Sequence, residues 1–263
     1  MALSIIVMGA AGRMGSIIAR LVAEADDLSL AAVLERPGEE EKLAGFRASG
    51  TLVSSDISTV LPKCPGAVVI DFTAPEATLV TARAASAHGN PIIIGTTGFS
   101  DEQTAELEEL AKKSLVFRSA NMSVGINVIM DILPRLTALL GDAYDVEMME
   151  IHHNKKKDAP SGTALLLADP LLKAKGLTRD DINTNRFDVR EPRKHAEIGI
   201  QSLRGGDVVG VHTVYYMGPG ERIEITHQAH SRENFANGAL RAARWISTQQ
   251  PGRVHTMQDV LHN

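Results

Sequence analysis

The chain has 263 residues, enough for one large domain or two modest ones, and its 44% apolar content is that of a globular protein with a sizeable core. With 27 basic against 32 acidic residues the net charge is -5, so no global positive field favours nucleic acid or an anionic membrane, and an anionic ligand must be held by local groups. The single cysteine, Cys64, cannot close an internal disulfide, no apolar run reads as approaching the roughly 20 residues of a membrane span, and Met1 to Met8 lacks a basic leader; a cytoplasmic location is expected.

In chain order, Ser4 to Met8, Leu28 to Leu34, Ala67 to Phe72, Pro91 to Ile94 and Leu115 to Arg118 are short apolar runs bounded by turn residues, which predicts buried strands. Between them, Ser16 to Ala25, Pro75 to His88 and Asp101 to Lys113 have helical spacing, with Pro75 suited to a first turn and Ser100 with Gln103 forming a capping box. Such alternation predicts an α/β fold with a Rossmann-type doubly wound parallel sheet. After a predicted helix from Val124 to Leu140 the pattern changes. Asp145 to His152 reads as a strand and Gly162 to Lys175 as a helix that Asp169 and Pro170 should bend or shorten. The β-rich runs Glu197 to Arg204, Val208 to Met217 and Glu221 to His230, separated by Gly205-Gly206 and Gly218-Pro219-Gly220, predict a meander. This makes a second α+β domain with a mainly antiparallel sheet. The last amphipathic helix, Asn234 to Thr248, is free to return to the first domain.

The first chemical motif is Gly9, Ala10, Ala11, Gly12, Arg13, Met14 and Gly15, directly between the first strand and the first helix. Glycines there permit a tight turn and let backbone N–H groups approach a pyrophosphate at the helix N-terminus, although the spacing is not the commonest one. Glu35 lies twenty residues beyond Gly15 at the end of the second strand, where an acid accepts hydrogen bonds from ribose hydroxyls, while the neighbouring Arg36 suits a 2'-phosphate. NADH and NADPH are both open as cofactor. Three further loops end predicted strands: Asp71-Phe72-Thr73, Gly95-Thr96-Thr97-Gly98 and Ser119-Ala120-Asn121-Met122. Open α/β sheets bind ligands at such ends, and the last loop also opens the second domain.

The sharpest signal runs from Glu150 to Ala164: two histidines, His152 and His153, close a strand, Lys155, Lys156 and Lys157 crowd a loop, and Asp158-Ala159-Pro160-Ser161-Gly162-Thr163 opens a helix. The Ser161 and Thr163 hydroxyls and the free N–H groups of the helix start would bind a carboxylate, with a lysine adding charge-assisted bonding; the pattern wants a small dianion. A histidine is the natural proton donor near neutral pH. A metal site on Glu150, His152 and His153 is disfavoured, because neighbouring strand residues point to opposite faces and no second His or Cys pair lies nearby; no metal is expected.

The segment from His152 to Ala164, the Gly9 to Gly15 loop, Asp71-Phe72-Thr73, Gly95-Thr96-Thr97-Gly98, Asn121-Met122-Ser123-Val124-Gly125, Leu203-Arg204-Gly205-Gly206 and Phe235-Ala236-Asn237-Gly238-Ala239 together resemble the 4-hydroxy-tetrahydrodipicolinate (dihydrodipicolinate) reductase family over the whole chain. That resemblance implies a homotetramer of lysine and diaminopimelate biosynthesis that reduces a small dicarboxylate, 4-hydroxy-tetrahydrodipicolinate, to tetrahydrodipicolinate with NADH or NADPH. It implies that His152 gives or takes a proton, that Lys156 donates one, and that His153, Gly162 and Thr163 bind substrate. Cofactor contacts fall on Gly9 to Met14, Glu35, Arg36, Gly95 to Thr97 and Ser119 to Met122. The expected division is residues 1–122 and 233–263 for the dinucleotide, and 123–232 for substrate binding and oligomerisation. Another Rossmann oxidoreductase would share the first half without needing the lysine-flanked Ser-Gly-Thr site, and a dinucleotide sensor would not need His152 and Lys156.

Overall fold

A computed structural model describes residues 2–187 and 189–262. The chain forms two compact units, Met1–Val124 together with Arg232–Asn263, and Gly125–Ser231.

In the first unit, β1 (Leu3–Met8), β2 (Leu28–Leu34), β3 (Leu52–Ser54), β4 (Val68–Asp71), β5 (Ile92–Ile94) and β6 (Val116–Arg118) make one parallel sheet in the order β3-β2-β1-β4-β5-β6. Period-two alternation divides its side chains between two cores: Ile5, Val7, Val68, Ile70 and Ile93 face one way, and Ile6, Val69, Ile92 and Ile94 the other. Both faces are buried, which is why the strands read as unbroken apolar runs. The first core is filled by α1 (Arg13–Glu24) and by the end of the chain, α8 (Glu233–Ile246) and α9 (Met257–Leu261). The second is covered by α3 (Ile57–Val60), α4 (Pro75–His88) and α5 (Asp101–Ala111), the last with the Ser100/Gln103 capping box in place. Strand β3 escaped the sequence reading because Leu52, Val53 and Ser54 are only half-buried and make no apolar run, and α3 and the short α2 (Ala44–Arg47) because four residues are too few for a helical period.

In the second unit, α6 (Val124–Leu140) and α7 (Gly162–Lys175) pack on one face of a five-stranded sheet formed by β7 (Asp145–His152), β8 (Ile182–Asn183), β9 (Ile198–Arg204), β10 (Gly210–Gly218) and β11 (Glu221–Ala229). The expected meander is not what forms. The order is β11-β10-β7-β9-β8: β10 pairs antiparallel with both β11 and β7, whereas β9 runs parallel to β7 and to β8, so β7 separates two strands that are neighbours in sequence. Helix α7 also runs past Pro170 to Lys175; burial of Leu167, Ala168, Leu171 and Leu172 on either side outweighs the lost N–H bond. By length and composition alone, Val124–Ala143 is apolar enough to cross a membrane, contrary to the expectation that no apolar run approaches that length; Asp131 and Arg135 lie within it. Ile126 and Leu133 are buried in the core of the second unit, while Val128, Ile132 and Leu139 are exposed beside those two charges.

Helix α8 comes so close to the first sheet that a Cβ on Gly238 would stand 1.7 Å from the Met122 carbonyl oxygen, a backbone atom with nowhere to go. Gly238→Ala is therefore expected to destabilise the protein by at least the about 1–3 kcal/mol typical of overpacking, read as a lowered midpoint in urea.

Candidate active site

The dinucleotide loop leaves β1 through Gly9, whose φ of 62° is open to glycine, and turns with Gly12 N–H donating to the Gly9 carbonyl at 2.9 Å. A Cβ on Gly15 would lie 2.1 Å from that same carbonyl oxygen, so only glycine lets α1 start this close to the loop. The first-turn N–H groups of α1, around Arg13 and Met14, have no intrahelical acceptor and face an anion with the positive end of the helix. Glu35 accepts the Ala11 N–H at 3.0 Å, which ties the end of β2 to the loop; Arg36 is exposed and pairs with Glu39 at 3.5 Å. Beside them lies a cavity of about 550 Å³, lined among others by Gly9, Glu35, Arg36, Ile57, Thr73 and Val80. The glycine loop, the start of α1 and this cavity thus lie together at the carboxyl ends of β1 and β2.

The other strand-end loops gather around Asp71, which is fully buried. Its Oδ1 accepts the Thr73 N–H at 2.8 Å and the Thr73 and Thr78 hydroxyls at 2.6 and 3.1 Å, and Thr78 in turn bonds Thr96 at 2.8 Å. The Phe72 ring lies flat enough on Gly95 that a Cβ there would meet it at 2.1 Å. Thr73, Thr97 and Ala120 are exposed and Ser119 half-buried, its hydroxyl donating to the Asn121 carbonyl at 2.7 Å. Ala10 and Met122, by contrast, are buried in the core, so what they offer a ligand is backbone.

In the second unit a single sheet face changes character along its length. Val146 and Met148 of β7, Ile198 and Ile200 of β9, and Val214 and Tyr216 of β10 pack under the helices. Two residues further along the same face stand Glu150, Ser202 and His212, brought side by side by the register, and then His152 opposite Arg204. The Glu150 carboxylate, 1% exposed, accepts two bonds from Arg204 at 2.7 and 2.8 Å and the Ser161 N–H at 3.1 Å, and lies 2.5 Å from His152 Nδ1. Burial alone would raise its pKa, but Arg204, Ser202 and His152 overcome it and bring the value down to about 2. Burial lowers the His152 pKa, against Glu150, which raises it, and with Lys156 and Arg204 adding to the fall. His212 is held neutral, its pKa pushed to about 3 by burial and by His152. Its Nε2 is 3.1 Å from the Ser161 hydroxyl, and its ring meets that of His152 edge to face, with centroids 5.1 Å apart.

The loop after β7 carries the cations. Lys155 and Lys157 are exposed, but Lys156 turns inward, its Nζ 2.9 Å from Asp158. Asp158 lies below its ordinary pKa because of Lys156, and it also accepts the Gly162 N–H at the start of α7. Ser161 caps that helix by accepting the Ala164 N–H at 3.1 Å; Gly162 is exposed and Thr163 half-buried in the first turn. His153 sits just past the strand with a buried Nδ1 that has no hydrogen-bond partner among the described residues. His152, Lys156, Ser161, Gly162 and Thr163 thus meet at the polar end of one sheet. Glu150, Arg204, His212 and Asp158 belong to the same cluster, and sequence reasoning gave them no such part. The spacing of Glu150 and His152 was a usable signal, because residues two apart on a strand share a face. Arg204 and His212 reach the cluster through strand pairing, which no local pattern reveals.

A family model described as dihydrodipicolinate reductase, N-terminus, matches residues 3–122, and one described as dihydrodipicolinate reductase, C-terminus, matches residues 125–261. The chain belongs to the dihydrodipicolinate reductase family. Among relatives in it, the 4-hydroxy-tetrahydrodipicolinate reductase of Nitratidesulfovibrio vulgaris is 57% identical over 262 residues, spanning 99% of this chain and 100% of that one. That of Lawsonia intracellularis is 50% identical with the same coverage. A solved dipicolinate-bound dihydrodipicolinate reductase from Paenisporosarcina sp. TG-14 shares the fold, with a TM-score of 0.78 at 22% identity over 97% of this chain and 98% of that one. A probable dehydrogenase from Thermotoga maritima shares it more loosely, at a TM-score of 0.64 and 14% identity over 98% and 92%.

In this dihydrodipicolinate reductase family member Arg204 is the charge that lets a carboxylate stay ionised inside the second unit. Arg204→Gln is expected to cost about 3–5 kcal/mol of stability near neutral pH, the usual result of stranding a buried charge. The depressed Glu150 pKa contributes stability above its ordinary value of 4.5, and that contribution fades as pH falls toward about 2. Without Arg204 the folded-state value rises, so the deficit should narrow as the pH is lowered and Glu150 protonates; urea unfolding at several pH values measures it.

Proposed function

We propose that this chain catalyses the NAD(P)H-dependent reduction of 4-hydroxy-tetrahydrodipicolinate to tetrahydrodipicolinate in lysine and diaminopimelate biosynthesis, with His152 and Lys156 handling the protons. One observation carries the assignment of roles. The inward lysine, the buried imidazole and the α7 N-terminus converge at the polar end of the second sheet, where the Asp158 carboxylate already lies on Lys156 and the Gly162 N–H. A site that accepts a carboxylate there suits one carboxylate of the substrate, held by Lys156, Ser161, Gly162 and Thr163, with His153 alongside. That the Paenisporosarcina protein is described as dipicolinate-bound, a planar dicarboxylate, fits this reading.

The first unit binds the dinucleotide on the Gly9 to Met14 loop, with Glu35 and Arg36 at the adenosine ribose, Phe72, Thr73 and Gly95 to Thr97 along the strand ends, and Ser119 to Met122 beyond them. Bound there, the reduced nicotinamide supplies a hydride. The electron density left on the conjugated ring is then protonated, and an acid fixed beside the ring lowers that barrier. Lys156 stands in the same cluster, on Asp158. Burial keeps His152 neutral, and the arrival of a dianion favours its protonated form, so that substrate binding itself prepares the acid. Loss of water from the 4-hydroxy substrate needs one proton delivered to the departing hydroxyl and one taken from the adjacent ring carbon, and His152 and Lys156 are the groups at hand to give and take them.

The same reading makes the protein a cytoplasmic homotetramer. The face of the second sheet turned away from α6 and α7 carries Met149, Ile151, Val211 and Leu203, the last 44% exposed, which is the kind of apolar sheet face that symmetric assembly covers.

His152→Ala is expected to lower kcat by about 10² to 10⁴ while NADH binding survives, and Thr163→Ala to act mainly on KM, since a carboxylate clamp binds ground and transition states alike. Oxidation of NAD(P)H followed at 340 nm, with substrate made in situ from pyruvate and aspartate semialdehyde, measures both; near-full kcat in His152→Ala would remove it from the chemistry. For the cofactor, Glu35 and Arg36 each suit one dinucleotide, and use of both is expected. Arg36→Ala should raise KM for NADPH more than for NADH, and equal losses would show that Arg36 does not read the 2'-phosphate.

A further inference from the structure

We propose that Glu150 is the positioning residue of the proton-transfer centre: fixed by Arg204 and by the Ser161 N–H, its carboxylate holds the His152 imidazole as the Nδ1–H tautomer and leaves Nε2 as the atom that exchanges protons with the substrate. The inference rests on the role given to His152 above and deepens it.

The geometry begins with the strand. Glu150 and His152 lie on the same face of β7, and that places the carboxylate 2.5 Å from Nδ1. Every other group bonded to Glu150 is a donor with no acceptor capacity in that bond: the Arg204 guanidinium, which binds both oxygens, the Ser161 N–H and the Ser202 hydroxyl. A carboxylate so surrounded remains ionised and can only accept, so Nδ1 must carry the hydrogen. His152 Nε2 then bears the lone pair. It makes no hydrogen bond among the described residues, and the backbone beside it is Gly210, where a Cβ would stand 3.1 Å from Nε2. A side chain at position 210 would crowd that nitrogen.

The charges around the ring are divided. Burial disfavours the imidazolium, as do Lys156 in the following loop and Arg204 on β9; Glu150, on the same strand, favours it. His212 on β10 stays neutral, with His227 of β11 acting on it in the same direction as burial, and Asp158 faces Arg204. Glu150 is thus what keeps a buried histidine able to take up a proton. In the step itself the Nε2–H bond breaks as the proton passes to the substrate, the electron pair returns to Nε2, and solvent later restores the proton. Throughout, the Nδ1–H bond and the charge of Glu150 are unchanged.

The direct test is the ¹⁵N spectrum of the histidine side chains in the native enzyme, with His152 assigned by comparison with His152→Ala. The expected result at neutral pH is a protonated Nδ1 and a pyridine-like Nε2; the reverse assignment overturns the proposal, whether or not His152 proves catalytic. Glu150→Gln provides the second measurement. Its single carbonyl oxygen is claimed by Arg204 and the Ser161 N–H, which turns the carboxamide NH₂ toward Nδ1 and forces the Nε2–H tautomer. The expected outcome is an inverted tautomer, a His152 titration moved to lower pH, and kcat down by about 10- to 10⁴-fold with KM for the dinucleotide unchanged. A Glu150→Gln enzyme with the native tautomer, native titration and native kcat would show that Glu150 is only a structural anion. If Glu150→Gln does not fold, the native spectrum alone decides.

Discussion

A carboxylate buried in the second unit sets the terms for everything near it. Glu150 is 1% exposed, and a charge so placed is tolerated only when its oxygens are filled with donors. Arg204 supplies two of them and the Ser161 N–H a third, and through these bonds β9 and the start of α7 are drawn to the end of β7. Gly205 N–H, which donates to the His152 carbonyl at 2.9 Å, continues the same junction. The anion therefore acts as a fixed centre about which a strand end, a helix cap and a histidine are arranged.

The two sheets answer different constraints. In the first unit both faces are covered by helices, so its strands are apolar throughout and any chemistry is confined to the loops at their carboxyl ends. Asp71 organises those loops much as Glu150 organises the second site, gathering Thr73, Thr78 and Thr96 around one buried oxygen. Its other oxygen has no partner among the described residues, so the cluster is not closed. In the second unit the helices cover one face only, and along that face apolar packing gives way to a polar cluster within two residues of each strand. The site is where the core stops being apolar.

Opposing charge effects explain why an acid and a base can share so small a volume. Burial lowers the pKa of His152 and His212 alike, but only His152 has a carboxylate on its ring nitrogen, and His212 falls to about 3. The two histidines pack edge to face, one with a carboxylate opposing the effect of burial on its ring and the other without one. Lys156, meanwhile, is held by Asp158, whose carboxylate also lies on the Gly162 N–H at the start of α7.

The sequence by itself determined whatever depends on near neighbours. Strands β1, β2, β4, β5 and β6 of the first unit follow from apolar runs that must be buried on both faces, the α5 cap from Ser100 and Gln103, and the turn into α1 from glycines at a strand end. His152, Lys156 and Ser161 to Thr163 were legible because one short segment carries them all, and the resemblance to the family rests on that segment. The tertiary structure decided what depends on pairing. Three β-rich runs in succession suggest a meander, yet β7 enters between β9 and β10, because hydrophobic pattern specifies which face of a strand is buried but not which strand lies beside it. That insertion places Arg204 on one side of Glu150 and His152 and His212 on the other, joining residues more than fifty positions apart. The histidine and the carboxylate two residues before it share a face that the sequence spacing already implies; the guanidinium and the second histidine came beside them only when the strands were in register.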